Sequence, residues 1–567
     1  MVLVFLSWIY ILFTAINFGF VFEKAIRQNL KDFVVTAIMG LFAVTIIAST
    51  WAIFGRINWE FHCALGLANL LIFLRFKLDI ADLYRQFWSQ LRMLESSLKA
   101  LLSIITILII AQSASIPYVI DNESYYIQTI KWLNEYGLVK GLANLHSFLA
   151  QTSGWHIAQS AFSFSFLYKN FNDLSAFCLL LGNVFAIQKM NAYFSNGKKI
   201  YLIVGMLPLA NIFLFQFISA PSPDIPVYIF SFIIFYYFIE RYKDIDAQAF
   251  NLIVILVLFS LFIKTTAFAL LFIPLVLFLK NFKALLPQLI KLSAIGLVVL
   301  ALFIIKNMIT SGFPMFPVVS FHLIDLDYRI PDKLAQSYYQ DTKLYGYFTT
   351  QKRYEAMTAF ELFIRWVTLP KLHGLFNKIM LLLIAVGPVF IYKYFNKKSV
   401  WVLYFIMCLQ MAMLFLSSPQ YRFFMNFLLL FCFLIAAVVT YKRKAITILL
   451  SLSTAATAFV LLVPINLNAF TKNKFVMETS NFHFDNIVFP YKNTKSDTGF
   501  EKVTIGNLNY NSPVDNDFLY FAGDGDLPCL NKDQLERFYK KFGIIPQLRT
   551  NSLSDGFYSL EQPLDER

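Results

Sequence analysis

Charge is scarce in this sequence. Only 14% of its 567 residues are Asp, Glu, Lys or Arg, where a soluble domain carries about a quarter. That shortage excludes an ordinary water-soluble globular protein, which covers much of its surface with ionised groups. Cysteine is scarce too. Of the five, Cys63, Cys178, Cys408 and Cys432 fall inside apolar runs and only Cys529 lies near the C-terminal end, a pattern that supports neither a disulfide framework nor a zinc site. There is no Gly-rich phosphate loop, HExxH, GxSxG or kinase signature. The GDGD at 523–526 lacks the remaining positions of a calcium loop and reads as a turn. No solenoid-type period appears, and no inverted repeat of the two halves, which weighs against a transporter.

What is abundant is apolar surface: 58% hydrophobic residues, with sixty-three Phe. Apolar runs recur from Met1 to Pro464, each long enough to cross a hydrocarbon core of about 30 Å as a helix. About fourteen such spans are expected, at 3–22, 33–54, 60–75, 100–119, 174–190, 200–218, 224–240, 250–264, 266–281, 288–307, 376–394, 400–417, 421–440 and 445–464. The N-terminal run has no basic n-region and no small-residue cleavage site, so it reads as the first helix and not as a removed signal. The fold class is therefore an all-α polytopic membrane protein with a polar tail. Short alternating runs such as NIVFPY and EKVTIGNL, followed by a helical stretch at DQLERFYKKFG, make that tail a small α+β domain.

The net charge of +14 does not point to nucleic acid, because the basic residues cluster between apolar runs, as the positive-inside rule predicts. Lys24/Arg27/Lys31, Arg75/Lys77/Arg85/Arg92/Lys99, Lys189/Lys198/Lys199, Arg241/Lys243, Lys280/Lys283, Lys393/Lys397/Lys398 and Lys442/Arg443/Lys444 fall on alternate loops. Both termini are then outside. Residues 155–168 are apolar but too short to cross, so they are expected to lie on the outer surface of the membrane. The expected organisation is N-terminal helices over 1–99, a core over 100–465 with outward loops 120–173 and 308–375, and an extracytoplasmic domain over 466–567.

The chemistry expected of the outward face rests on a few ionisable residues. Asp121 and Glu123 sit two apart at the end of a span, where they would hold a divalent cation (Mg or Mn), or where one carboxylate would take a proton from a hydroxyl; the bland reading is a solvated acidic cap. The stretch after them has helical apolar spacing and is expected to lie on the bilayer. Three prolines in SAPSPDIPVY put Asp224 on the same face, where it serves as a site residue or simply as a helix start. Lys264, Lys306 and Arg422 lie near outward span ends; they either snorkel to lipid headgroups or hold a lipid-linked phosphate. His146 and His156 are accessory candidates, each more often structural than catalytic.

This layout resembles the GT-C superfamily of polytopic glycosyltransferases over roughly residues 100–440. The features that carry it are the modified acidic motif Asp121-Asn122-Glu123 after a span, Ser222-Pro223-Asp224 in a second outward loop, Lys264-Thr265-Thr266-Ala267, and Ser311-Gly312-Phe313-Pro314. The chain departs from many members in having about three spans before the first motif and a tail of its own. The resemblance implies transfer of a sugar from a polyprenyl-phosphate-linked donor to a glycan, lipid or protein acceptor, at the outer face of a bacterial cytoplasmic membrane. Asp121, Glu123 and Asp224 would be catalytic, and Lys264, Lys306 and Arg422 would bind the donor phosphate. The expected partners are donor, acceptor and membrane lipids. The alternatives are a polysaccharide polymerase or ligase, a transporter or flippase of lipid-linked glycans, and a non-enzymatic scaffold.

Overall fold

Inside a bilayer there is no water to bond the backbone, and a helix satisfies its amides within one segment. The computed structural model is mostly helical, and it describes residues 1–168, 172–321, 323–471, 474–514 and 518–562. The expected outward loops and tail thus each contain a few positions (169–171, 322, 472–473, 515–517, 563–567) outside the described residues. Among the described residues nine helices are long and apolar enough to cross a membrane: Val2–Ala25, Phe33–Phe54, Ser96–Ser113, Leu174–Asn196, Lys199–Phe217, Phe282–Ser311, Lys371–Phe395, Lys398–Leu416 and Arg443–Leu462. The other expected spans also fall on helices. Ala247–Ile263, Thr265–Lys280 and Met425–Val439 are shorter. Asp224–Arg241 carries ionisable residues at both ends, and 60–75 is the first half of Trp59–Arg92, which is broken at Phe76.

Large apolar side chains stay exposed along these helices, as at Ile290, Leu297, Leu382 and Leu452. Water would penalise such faces, whereas lipid accepts them. Facing helices are joined by polar pairs instead. Asn183 and Asn211 exchange amide hydrogen bonds at 3.1 and 2.9 Å, and Asn69 links Asn17 and Thr14. Such bonds hold helices together where apolar contact gains little over lipid.

The first two helices come closest. A Cβ on Gly40 would lie 1.7 Å from the Ala15 carbonyl oxygen, and one on Gly19 would lie 2.0 Å from that of Thr36. Only glycine allows that approach, the small-residue packing typical of membrane helices.

One end of the helices is covered by the tail together with residues from the two loops expected to face outward. The tail has two antiparallel hairpins, β1 (Phe500–Ile505) with β2 (Leu508–Pro513) and β3 (Ile544–Leu548) with β4 (Phe557–Glu561). Asn507 and Gln547 side chains bond across from one hairpin to the other, and the helix Lys532–Phe542 precedes β3. The Met1 amino group donates to the Asn486 carbonyl at 2.6 Å, so the N-terminus and the tail share this face.

Two expectations are corrected here. The stretch after Glu123 forms the helix Ile127–Glu135, but its apolar side chains do not lie on a bilayer. Ile127, Trp132 and Leu133 are buried by protein, and Phe557 of β4 packs edge-on to Trp132. Residues 155–168 indeed do not form a span. Their first half, the short helix Gly154–Ser160, is enclosed, with Trp155 against Phe259 and bonded to Ser175, rather than resting on an outer surface.

Alanine is the better helix former by about 1 kcal/mol, so the packing at Gly40 makes a sign prediction. Gly40→Ala lowers the thermal unfolding midpoint of the protein in detergent, whereas Gly66→Ala, with nothing within 4 Å of its new Cβ, leaves it unchanged or raises it. Equal responses from the two variants would disprove the close approach.

Candidate functional site

The segment after Ser96–Ser113 ends in Asp121 and enters a wide π-type turn, Asn122–Tyr126, before the helix Ile127–Glu135. On a helical path residues two apart do not face each other. Asp121 and Glu123 therefore turn to different partners. Glu123 is fully buried and turned into the tail. The Thr494 hydroxyl donates to its Oε2 at 2.5 Å and the Lys495 amide to its Oε1 at 2.8 Å. Its own carbonyl accepts the Ala522 and Gly523 amides. Burial pushes the Glu123 carboxyl up to about 7, against the lowering pull of these donors. Among the described residues no group of three or more His, Cys, Asp or Glu side chains is arranged to hold a metal ion, and no step below is routed through one.

Asp121 points the other way. Arg422 Nη1 donates to Asp121 Oδ2 at 2.6 Å, and the two side chains remain 30% and 22% exposed. The Tyr126 hydroxyl reaches the same oxygen at 3.5 Å. A second ion pair stands beside the first. Asp224 opens the helix Asp224–Arg241, where the free amides favour a carboxylate, and Lys264, just past the end of Ala247–Ile263, donates to its Oδ1.

Phe423 and Tyr228 join the pairs. The Lys264 ammonium lies 4.6 Å and the Arg422 guanidinium 5.2 Å from the Phe423 ring centre. Tyr228, one turn beyond Asp224, donates to the Arg422 carbonyl at 2.7 Å. Gln420 Oε1 accepts from Arg422 Nε at 3.0 Å. Four of the predicted site residues, Asp121, Asp224, Lys264 and Arg422, thus form one cluster of two carboxylates and two cations. It is neutral overall and open on the Arg422 side.

The remaining candidates divide. Lys306 is buried and donates to Asn307 Oδ1 at 2.9 Å. It does not join the ion pairs, but its charge reaches His156. Burial, and after it the Lys306 ammonium, push that imidazole down to about 3. The neutral ring packs 4.6 Å from Tyr126, and its Nε2 has no bonding partner among the described residues. His146 belongs elsewhere. It packs between Phe148 and Tyr520 of the tail, and burial lowers it to about 4. Tyr126, Tyr228, Gln420 and Phe423 escape a reading of sequence that looks for charge. The signal that marks them is only their adjacency: Tyr126 follows the acidic motif, and Gln420 and Phe423 flank Arg422.

A family model described as a domain of unknown function matches residues 1–429. It takes in every residue of the ion-pair cluster and ends just past Arg422. No curated protein and no solved structure matches the chain.

The position of Glu123 sets a pH dependence for docking of the tail. A carboxyl raised in the folded state binds its proton there while the released state has lost it. Its contribution is thus complete below about 4.5 and is lost as pH rises through about 7, on the order of 3 kcal/mol at most. Protection of the tail from limited proteolysis weakens across that window in the wild type, and Glu123→Gln flattens the profile. A wild-type profile already flat between pH 4.5 and 7 would refute the role.

Proposed function

We propose that this chain, which belongs to the DUF8201 family, is a membrane glycosyltransferase. It moves a sugar from a polyprenyl-phosphate-linked donor to a hydroxyl of a glycan, lipid or protein acceptor at the outer face of the membrane. The observation that carries this reading is the accessible Asp121–Arg422 pair, 2.6 Å apart, set against the Asp224–Lys264 pair. Glycosyl transfer from a lipid phosphate needs a carboxylate base and fixed cations for the departing phosphate within reach of one another.

In the proposed reaction the donor phosphate is held by Arg422 and Lys264. Arg422 supplies planar paired donors and Lys264 a point charge. Asp121 takes the proton of the acceptor hydroxyl as that oxygen bonds to the anomeric carbon. The bond from that carbon to the phosphate oxygen breaks, and the polyprenyl phosphate leaves with the electron pair, stabilised by the two cations. Attack opposite the leaving group inverts the anomeric centre. Asp224 positions Lys264. The neutral His156 stands against Tyr126, whose hydroxyl reaches Asp121. The lipid enters sideways from the bilayer.

For the topology we infer about fourteen crossings, a bacterial cytoplasmic membrane, and both ends outside. The shared face of the N-terminus and the tail fits an even number of crossings, and the basic loop clusters fit this orientation.

Turnover of polyprenyl-phosphate sugars by the purified protein in nanodiscs tests the reading. Asp121→Asn cuts transfer by about a hundredfold or more, the scale of a lost general base, while the protein keeps its wild-type unfolding midpoint. Arg422→Lys keeps the charge but loses the paired donors, and raises the donor KM. Undiminished turnover in folded Asp121→Asn would remove Asp121 as the base.

A further inference from the structure

We propose that the tail carries a subsite for one neutral sugar unit of the acceptor glycan, in the cavity between the GDGD turn and the start of β1; this rests on the glycosyl-transfer reading above. The cavity measures about 230 Å³. That is below the ~300–1,000 Å³ of sites for drug-sized ligands and suits a single small ring. Its wall combines an aromatic face with hydroxyls, from Phe500, Phe521, Thr494, Ser496 and Thr498. A sugar has the matching surface, with C–H groups that pack on an aromatic ring and hydroxyls that bond to polar side chains.

The turn is built to make this wall. Gly523 has φ +59°, a left-handed conformation that favours glycine. A Cβ on Gly525 would come 2.7 Å from Phe500 Cε1, and one on Gly523 would come 2.9 Å from Phe521 Cε1. Both rings therefore lie directly over backbone that only glycine leaves bare. Phe521 is buried, whereas Phe500 keeps 40% of its surface exposed.

Charge narrows the ligand. The lining holds one cation, Lys492, against two carboxylates, Asp497 and Asp524, so a neutral polyhydroxyl group is favoured over a nucleotide or a sugar phosphate, which the carboxylates would repel. Position ties the cavity to the segment that carries the site. Thr494, in its wall, bonds the Glu123 carboxylate at 2.5 Å, so the cavity adjoins the turn that sends Asp121 to its opposite side.

Saturation-transfer NMR on the full chain in nanodiscs tests this without turnover, with D-glucose, D-mannose and N-acetylglucosamine as probes. The wild type is expected to give ring-proton signals for at least one probe. Phe500→Leu, which keeps the apolar bulk but removes the aromatic face, weakens them about fivefold, and Lys264→Ala leaves them intact. No signal from any of the three sugars overturns the subsite. So do signals equal in wild type and Phe500→Leu, or signals lost only in Lys264→Ala, which would assign the sugar to the ion-pair cluster. Because binding is read directly, a protein that binds sugar here but transfers none would fail the reaction and keep the subsite.

Discussion

A charge at the edge of hydrocarbon is costly unless a counter-charge meets it, and the arrangement at this protein's outer face follows from that constraint. Arg422 and Lys264 stand near the ends of apolar helices, and each is met by one carboxylate, Asp121 and Asp224. Four separate segments converge to make those two contacts. The outward ends of these segments are consequently held in register by charge as well as by packing. The Asp224–Lys264 pair is the more enclosed of the two, so removing Asp224 would leave Lys264 largely shielded from water and unpaired, the expensive outcome in a site of low polarity.

The same constraint explains why the tail is clamped to the acidic motif. A helical turn that aims Asp121 at Arg422 sends Glu123 to the opposite side, where an unpartnered carboxylate could not stay. The tail answers it with the Thr494 hydroxyl and the Lys495 amide. It then extends the contact through Gln128, which bonds the Gly523 and Gly525 carbonyls at 3.0 Å each, and through Lys131 with Asp524 at 2.6 Å. The tail is in this way a structural part of the face on which the ion pairs sit, although it lies beyond the segment that the family model matches.

Hydropathy made the helices readable, because a run of apolar residues has only one way to cross lipid. The position of Asp121, Asp224, Lys264 and Arg422 near helix ends was readable from the same runs. Their pairing was not: Asp121 and Arg422, three hundred positions apart, and Asp224 and Lys264, forty apart, meet through tertiary packing that no spacing encodes. Asp121 and Glu123 part for a local reason, since residues two apart share a side only where the backbone is extended, and here it turns as a helix. The helix Ile127–Glu135 misled for a global one. Its apolar stripe was real, but a sequence does not say whether lipid or protein covers such a stripe, and here Phe557 of β4 covers Trp132. Lys306 shared its sequence signal with Lys264, yet its hydrogen-bond partner is the neighbouring Asn307, and its charge is felt by His156.

The neutrality of the cluster bears on how the proposed reaction would be ordered. With two cations and two carboxylates already matched, an arriving phosphate competes with Asp121 for Arg422 and with Asp224 for Lys264. In the proposed reaction donor binding would loosen Asp121 from its guanidinium at the moment when a base is required; before that moment the carboxylate is bonded to Arg422. Arg422, with 30% of its side chain exposed, is the cation better able to turn toward a ligand, whereas Lys264 at 15% is the fixed one. An enzyme arranged in this way would keep its base masked until the leaving group is in place, and water alone would meet no free carboxylate to activate it.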